Sequence, residues 1–124
     1  MAYSLMLKNL GFTKTLTEPK HYFMDVIITY DLEEKSTQAS KHSEVKAGMK
    51  VLGYNDHFNY TDSAGKKTTY YLPNTTLWKK NSTPTNAKTD LLAVAKAKGA
   101  TVERLFADEF TDNWVAIPGK AYTS

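Results

Sequence analysis

The chain has 124 residues, 41% of them hydrophobic and 23% charged, with a net charge of +3 and no cysteine. That length fits one domain able to bury a core without covalent staples. The lack of cysteine excludes disulfides, thiolate zinc sites and cysteine nucleophiles, and is compatible with a cytoplasmic home.

The charge is uneven along the chain. Residues 1–35 carry four Lys against five acids, residues 36–100 ten Lys against four, and residues 101–124 one Lys and one Arg against four. A basic middle attracts phosphate backbones, but Arg104 alone offers the bidentate fork of specific phosphate and guanine contacts. Lysines scattered over solvated faces give the same pattern.

Residues 1–20 read as an N-terminal extension, with a short helical turn at Leu5, Met6 and Leu10 stopped by Gly11, and Pro19 before the first strand. The apolar run at residues 5–7 is interrupted by Lys8 and is too short for a signal-peptide core. No stretch has the length of a membrane span, so no membrane partner is expected. Residues 21–124 are expected to form one domain.

Residues 22–32 are the most strand-like run. Met24, Val26, Ile28, Tyr30 and Leu32 share one face, and Asp25, Ile27, Thr29 and Asp31 the other. After the acidic corner at Asp31, Glu33 and Glu34, Ser36 or Thr37 caps a helix expected to run to Leu52, with His42, Val45, Met49 and Leu52 as its inward stripe and Gly53 as its left-handed stop. A hairpin follows, His57–Thr61 against residues 67–72, around Asp62-Ser63-Ala64-Gly65. Pro73 breaks the pattern before a strand at residues 75–79. A second helix begins near Thr83-Pro84, carries Ala87, Leu91, Val94, Ala95 and Lys98, and stops at Gly99. Residues 102–107 read as a strand and residues 113–117 as a short final one.

This order is that of an α+β chain, specifically the ferredoxin-like split βαβ sandwich: an antiparallel sheet with two helices on one face. The uncovered face of such a sheet is often closed by a second subunit, so a homodimer is expected.

Residues 26–32, Val-Ile-Ile-Thr-Tyr-Asp-Leu, followed by a helix and then by Thr75-Thr76-Leu77-Trp78, resemble a group of small ferredoxin-like proteins. The group includes the VapD-type toxins, the SinR-like proteins and the CRISPR adaptation protein that docks as a dimer on its integrase. The likeness spans residues 23–114 as an order of elements. It implies that Asp31, beside its symmetry mate, helps hold Mg²⁺ or Mn²⁺ for phosphodiester hydrolysis, because a hard cation relieves the repulsion of facing carboxylates and activates water. The alternative is that Asp31 ends a strand and hydrogen-bonds the next turn.

The remaining polar residues have plain readings beside chemical ones. Glu33 and Glu34 are solvated acids near a helix N-terminus, or add charge around Asp31. Asp108, Glu109 and Asp112 read as a loop rather than a Ca²⁺ or Mg²⁺ site. His21, His42 and His57 lack zinc-site spacing, and no phosphate-cradling loop, dinucleotide fingerprint or Gly-x-Ser-x-Gly is present. Tyr54, Phe58, Tyr60, Tyr70, Tyr71 and Trp78 interleave with lysines, a mixture that stacks bases and neutralises phosphates, or else fills a core through cross-strand pairs. Two functions are therefore expected to compete. One is a dimeric metal-dependent nuclease acting on RNA or DNA, with Asp31 catalytic and metal-ligating and Lys66, Lys67, Lys79 or Lys80 on the phosphates. The other is a non-catalytic binding module working through its sheet face or a strand edge.

Overall fold

The computed structural model describes residues 24–33, 41–111 and 113–121. It is an α+β structure built on β1 (Met24–Leu32), α1 (Lys41–Val51), β2 (His57–Thr61), β3 (Lys67–Tyr71), β4 (Thr76–Ser82), α2 (Pro84–Ala97) and β5 (Val102–Glu109). The extension at residues 1–20, His21, Glu34 and the expected helix cap at Ser36 or Thr37 lie outside the described residues.

The alternation in β1 places it at the centre. Val26, Ile28, Tyr30 and Leu32 are buried, whereas Thr29 and Asp31 are exposed. β4 and β5 pair antiparallel with β1 on either side, in the order β4-β1-β5. The buried β1 residues and Leu77 of β4 form one core with Val45 and Met49 of α1 and Ala87, Leu91 and Ala95 of α2. Both helices therefore lie on the same side of the sheet. Each fully buried Val, Leu, Ile or Met there contributes about 1.5–3 kcal/mol.

Both helices end alike. In α1 the Tyr54 amide donates to Met49 and the Gly53 amide to Lys50; in α2 Ala100 donates to Ala95 and Gly99 to Lys96. This is the Schellman arrangement, which needs a positive φ at the glycine, observed at 99° for Gly53 and 74° for Gly99. The apolar contacts that accompany it are also built in, because Met49, Tyr54, Ala95 and Ala100 are all buried. α2 starts on Thr83, whose hydroxyl accepts from the Asn86 amide at 3.0 Å, with Pro84 in the first turn. One member of the expected α1 stripe fails: Leu52 lies past the helix end and is exposed, and Tyr54 takes the core position beyond the turn.

The hairpin forms where expected but not in the main sheet. β2 and β3 pair with each other, from His57↔Tyr71 to Thr61↔Lys67, as a separate two-stranded sheet. A single bridge joins this region to β4: Asn55 and Trp78 exchange both backbone hydrogen bonds, at 2.8 and 2.9 Å. Beyond Asn55 the chain leaves β4, since the His57 carbonyl accepts from the Trp78 indole at 2.6 Å and the Asp56 carbonyl from the Leu72 amide at 2.9 Å.

The expected strand at residues 113–117 does not form. That segment has no regular structure, and Val115 and Ile117 are 97% and 82% exposed. It lies beside β3 through one backbone bond, from the Tyr71 amide to Pro118, which has no N–H to return.

Candidate functional site

On the side of the sheet away from the helices, the hairpin folds over Trp78. β2 brings Phe58 against that indole and Tyr60 against Trp114, and Phe110, just past β5, meets the indole edge-on. Phe58 is the hub: Tyr70 stacks on it at 5.5 Å between ring centroids, and Trp78, Phe110 and Trp114 meet it edge-on at 6.4, 5.5 and 4.8 Å. Trp114 also meets Tyr60 and Tyr70 edge-on. Such offset and edge-to-face pairs add about 0.5–1.5 kcal/mol each beyond area burial. The expected gap on the helix-free face is thus partly closed by the chain itself.

The cluster forms the floor of an open concavity of about 650 Å³. Phe58, Tyr60, Trp78, Phe110 and Trp114 supply its apolar wall, and Asp25, Asn55, His57, Asn59, Lys79 and Lys80 its polar rim. Tyr60 is 49% exposed, and Trp114 half-buried, so ring surface is accessible from solvent.

The four lysines expected to hold phosphates divide into two pairs. Lys79 and Lys80 line the concavity, whereas Lys66 and Lys67 are exposed at the far end of the hairpin. Lys79 is half-buried with its ammonium 5.3 Å from the centre of the Tyr54 ring, a cation–π contact that steadies it; Lys80 is exposed. Tyr54 is itself fixed by donating its hydroxyl to Asp90 at 2.8 Å, and burial, with that bond and the Asp90 charge, pushes its phenol well above the usual range.

Beneath one end of the rim sits an ionic cluster that sequence reading missed. The Asp56 carboxylate lies 2.9 Å from His57 Nδ1, 3.2 Å from Lys50 Nζ and 3.9 Å from Lys46 Nζ. Burial alone would raise this carboxyl. The hydrogen bonds from His57 and Lys50, with the Lys50 and Lys46 charges, outweigh it and hold the group below the usual range. Phe110 and Trp114 were likewise not legible as cluster members. The available signal was their position immediately after a strand adjoining β1.

Asp31 stands apart from the concavity. It is exposed and accepts from the Arg104 guanidinium at 2.7 Å, directly across the β1–β5 ladder. Arg104 also lies 3.2 Å from Glu103. The bond to Asp31, then the charges of Glu103 and Asp31, raise the Arg104 pKa further. Among the described residues, no group of three or more His, Asp or Glu is placed to hold a metal ion. Of the second acidic cluster, expected in a loop, Asp108 and Glu109 instead lie in β5 opposite Ile27 and Val26, where Asp108 accepts from the Glu109 amide at 2.7 Å, and Asp112 lies outside the described residues. His42 is half-buried on α1, as expected of a packed histidine. Tyr30, buried on the helix side, has its phenol pushed up to about 12 by desolvation.

No family model, curated protein or solved structure matches the chain. Among the described residues, no helix is long and apolar enough to cross a membrane.

Proposed function

We propose that the protein is a non-catalytic binding module for single-stranded nucleic acid, which lies in the concavity between the hairpin, β4 and the segment after β5. The observation that carries this reading is the meeting of exposed aromatic edges with Lys79 and Lys80 in one open cleft. Bases stack on rings at about 1–3 kcal/mol each whatever their identity, and lysines neutralise phosphates without reading sequence. One cleft thus supplies both components of sequence-tolerant recognition. The same reading takes the domain as a ferredoxin-like sandwich whose second strand is reduced to Asn55. Support for it comes from the spatial order Asn55, β4, β1, β5.

This function is preferred to phosphodiester hydrolysis on Mg²⁺ or Mn²⁺ at Asp31. Hydrolysis would require Asp31 to release Arg104 and to meet a second carboxylate, whereas binding in the cleft asks nothing of Asp31. The chain has two tryptophans, Trp78 and Trp114, and both line the cleft, so intrinsic fluorescence reports its occupancy directly. Titration with oligo-dT and oligo-U is expected to quench that fluorescence. The apparent affinity should fall with salt at a log–log slope of about −0.7 for each phosphate neutralised. Replacing Lys79 and Lys80 with Glu should flatten the slope, and Trp114→Ala should weaken binding at every salt concentration. No quenching at low salt, or quenching indifferent to these substitutions, would refute the reading. Cleavage of labelled RNA or DNA with Mg²⁺ or Mn²⁺ that vanishes in Asp31→Ala would favour the nuclease instead.

A further inference from the structure

The outer edge of β5 is the longest unpaired strand edge among the described residues, since β5 pairs with β1 on one side only. Natural edges are usually blunted by proline, lysine or cover. This one carries neither residue over Val102–Glu109, its four charged side chains are of both signs, and it presents Phe106 at 64% exposure on the helix-free face. Arg104 and Asp108, both exposed, flank Phe106 at two residues on either side and on the same face.

The backbone limits how this edge can pair. The Phe110 amide donates to Asp25 at 2.7 Å, continuing the ladder in which Ile27 faces Asp108, Thr29 faces Phe106 and Asp31 faces Arg104. Even-numbered residues of β5 therefore turn their N–H and C=O toward β1, and Leu105, Ala107 and Glu109 turn theirs to the free edge. A second strand must meet odd residues with hydrogen bonds. For an antiparallel copy of β5, a dyad through Arg104 would oppose two arginines, and a dyad through Leu105 would set Arg104 against Phe106. A dyad through Phe106 pairs Leu105 with Ala107 by hydrogen bonds, stacks the two Phe106 rings and sets each Arg104 opposite an Asp108. Of these three registers, the one through Phe106 alone is complementary in charge, in shape and in hydrogen bonding at once.

From this edge we infer that the protein forms a reversible two-fold dimer by antiparallel β5–β5 pairing centred on Phe106, joining two three-stranded sheets into one. Arg104 keeps donors to spare for Asp108 of the second copy after bonding Asp31. The register shift between Asp31 and Leu32 ends the regular ladder at Glu103. Glu103 is therefore not held opposite Glu109 of the other copy. The dimer has a consequence for Asp31. With strands about 4.8 Å apart and a rise of about 3.4 Å per residue, the two Asp31 positions fall about 20 Å apart, too far to share a cation.

The test uses the full chain. Because it has no cysteine, Phe106→Cys provides a single thiol at the dyad, at a non-hydrogen-bonded pair where side chains approach most closely. Val51→Cys, on α1 and 85% exposed, is the control. Mild oxidation should cross-link Cys at 106 at least about tenfold faster than Cys at 51, since a preformed pair replaces random collision. Light scattering at high micromolar concentration should show a dimer for the wild type. Phe106→Lys should be a monomer whose melting curve matches the wild type at low protein concentration, where the wild type too is monomeric, because the position is exposed. A monomeric wild type, a dimer that survives Phe106→Lys, or equal cross-linking at the two thiols would overturn the inference.

Discussion

Gly48 sits inside α1, where helix propensity alone says that Ala should be better by about 1 kcal/mol. The structure predicts the opposite outcome for Gly48→Ala. A Cβ built on Gly48 would lie 2.6 Å from Val94 Cγ1 and 3.4 Å from Lys98 Cε. Carbon atoms rest about 3.5–4.0 Å apart, so the new methyl overlaps Val94 by about an ångström. The Lys98 chain end can swing away. Val94 cannot, because a β-branched side chain in a helix has essentially one χ1 well, and the added volume must separate α1 from α2. Overpacking of this kind costs about 1–3 kcal/mol. Set against the propensity gain, the net loss is about 1 kcal/mol, or a melting point lower by about 4 °C for a domain of this size. Urea and thermal unfolding of Gly48→Ala, Val94→Ala and the double variant measure it. The double variant should be more stable than the sum of the single losses by about 1 kcal/mol, because trimming Val94 gives the methyl its space. A Gly48→Ala protein as stable as wild type or more so would refute the close approach of the helices.

Three further outcomes follow from named contacts. Tyr54→Phe removes the hydroxyl that donates to Asp90 from a fully buried ring; a loss of about 2 kcal/mol in urea unfolding is expected for a bond to a charged acceptor. Thr83→Ala removes the cap of α2 and should cost about 1 kcal/mol, while Thr85→Ala, exposed and one residue past Pro84, serves as the neutral control. Asp56→Asn tests the ionic cluster by pH. The folded carboxyl lies below its usual value, so its contribution is present above the unfolded carboxyl range and is lost as pH falls through the lower folded value. Wild type should exceed Asp56→Asn in stability at neutral pH, and the two urea midpoints should converge in acid; a gap constant with pH would show that the charge is not what stabilises the site.

Much of the fold was legible because it rests on local rules. The two-residue period of residues 24–32 marks its buried face, and Gly53 and Gly99 mark helix ends by a backbone requirement no other residue meets as cheaply. Strand ends were less legible. β4 runs on to Ser82, past Lys79, because a register shift between Met24 and Val26 re-engages Ser82 with β1; nothing in the residues announces it. The segment at residues 113–117 has the composition of a strand, but Trp114 packs inward while Val115 and Ile117 stay exposed, and composition does not reveal whether a continuous buried face exists. The aromatics were legible as a mixture but not as a site, because their partners, Phe110 and Trp114, lie about fifty residues further along the chain.

The concavity depends on where the hairpin parts from the sheet. Had residues 56–60 stayed antiparallel to β4 beyond the Asn55–Trp78 bridge, they would have formed a fourth strand, and the Trp78 ring would have lost Phe58 and kept Phe110 as its ring contact. Each ladder bond so formed is worth about 1 kcal/mol net. By leaving, the chain keeps backbone bonds within its own hairpin and adds the ring contacts around Phe58. The exchange costs little hydrogen bonding and gains apolar burial, so it is favourable without a ligand. It also moves His57, Asn59 and Tyr60 to the lip of a cleft whose opposite lip is Lys79 and Lys80. The helix-side core holds the domain together independently of that cleft. For this reason substitutions at Lys80 or Tyr60, which point away from the core, can change what the cleft binds while the two Schellman-capped helices and β1 remain in place.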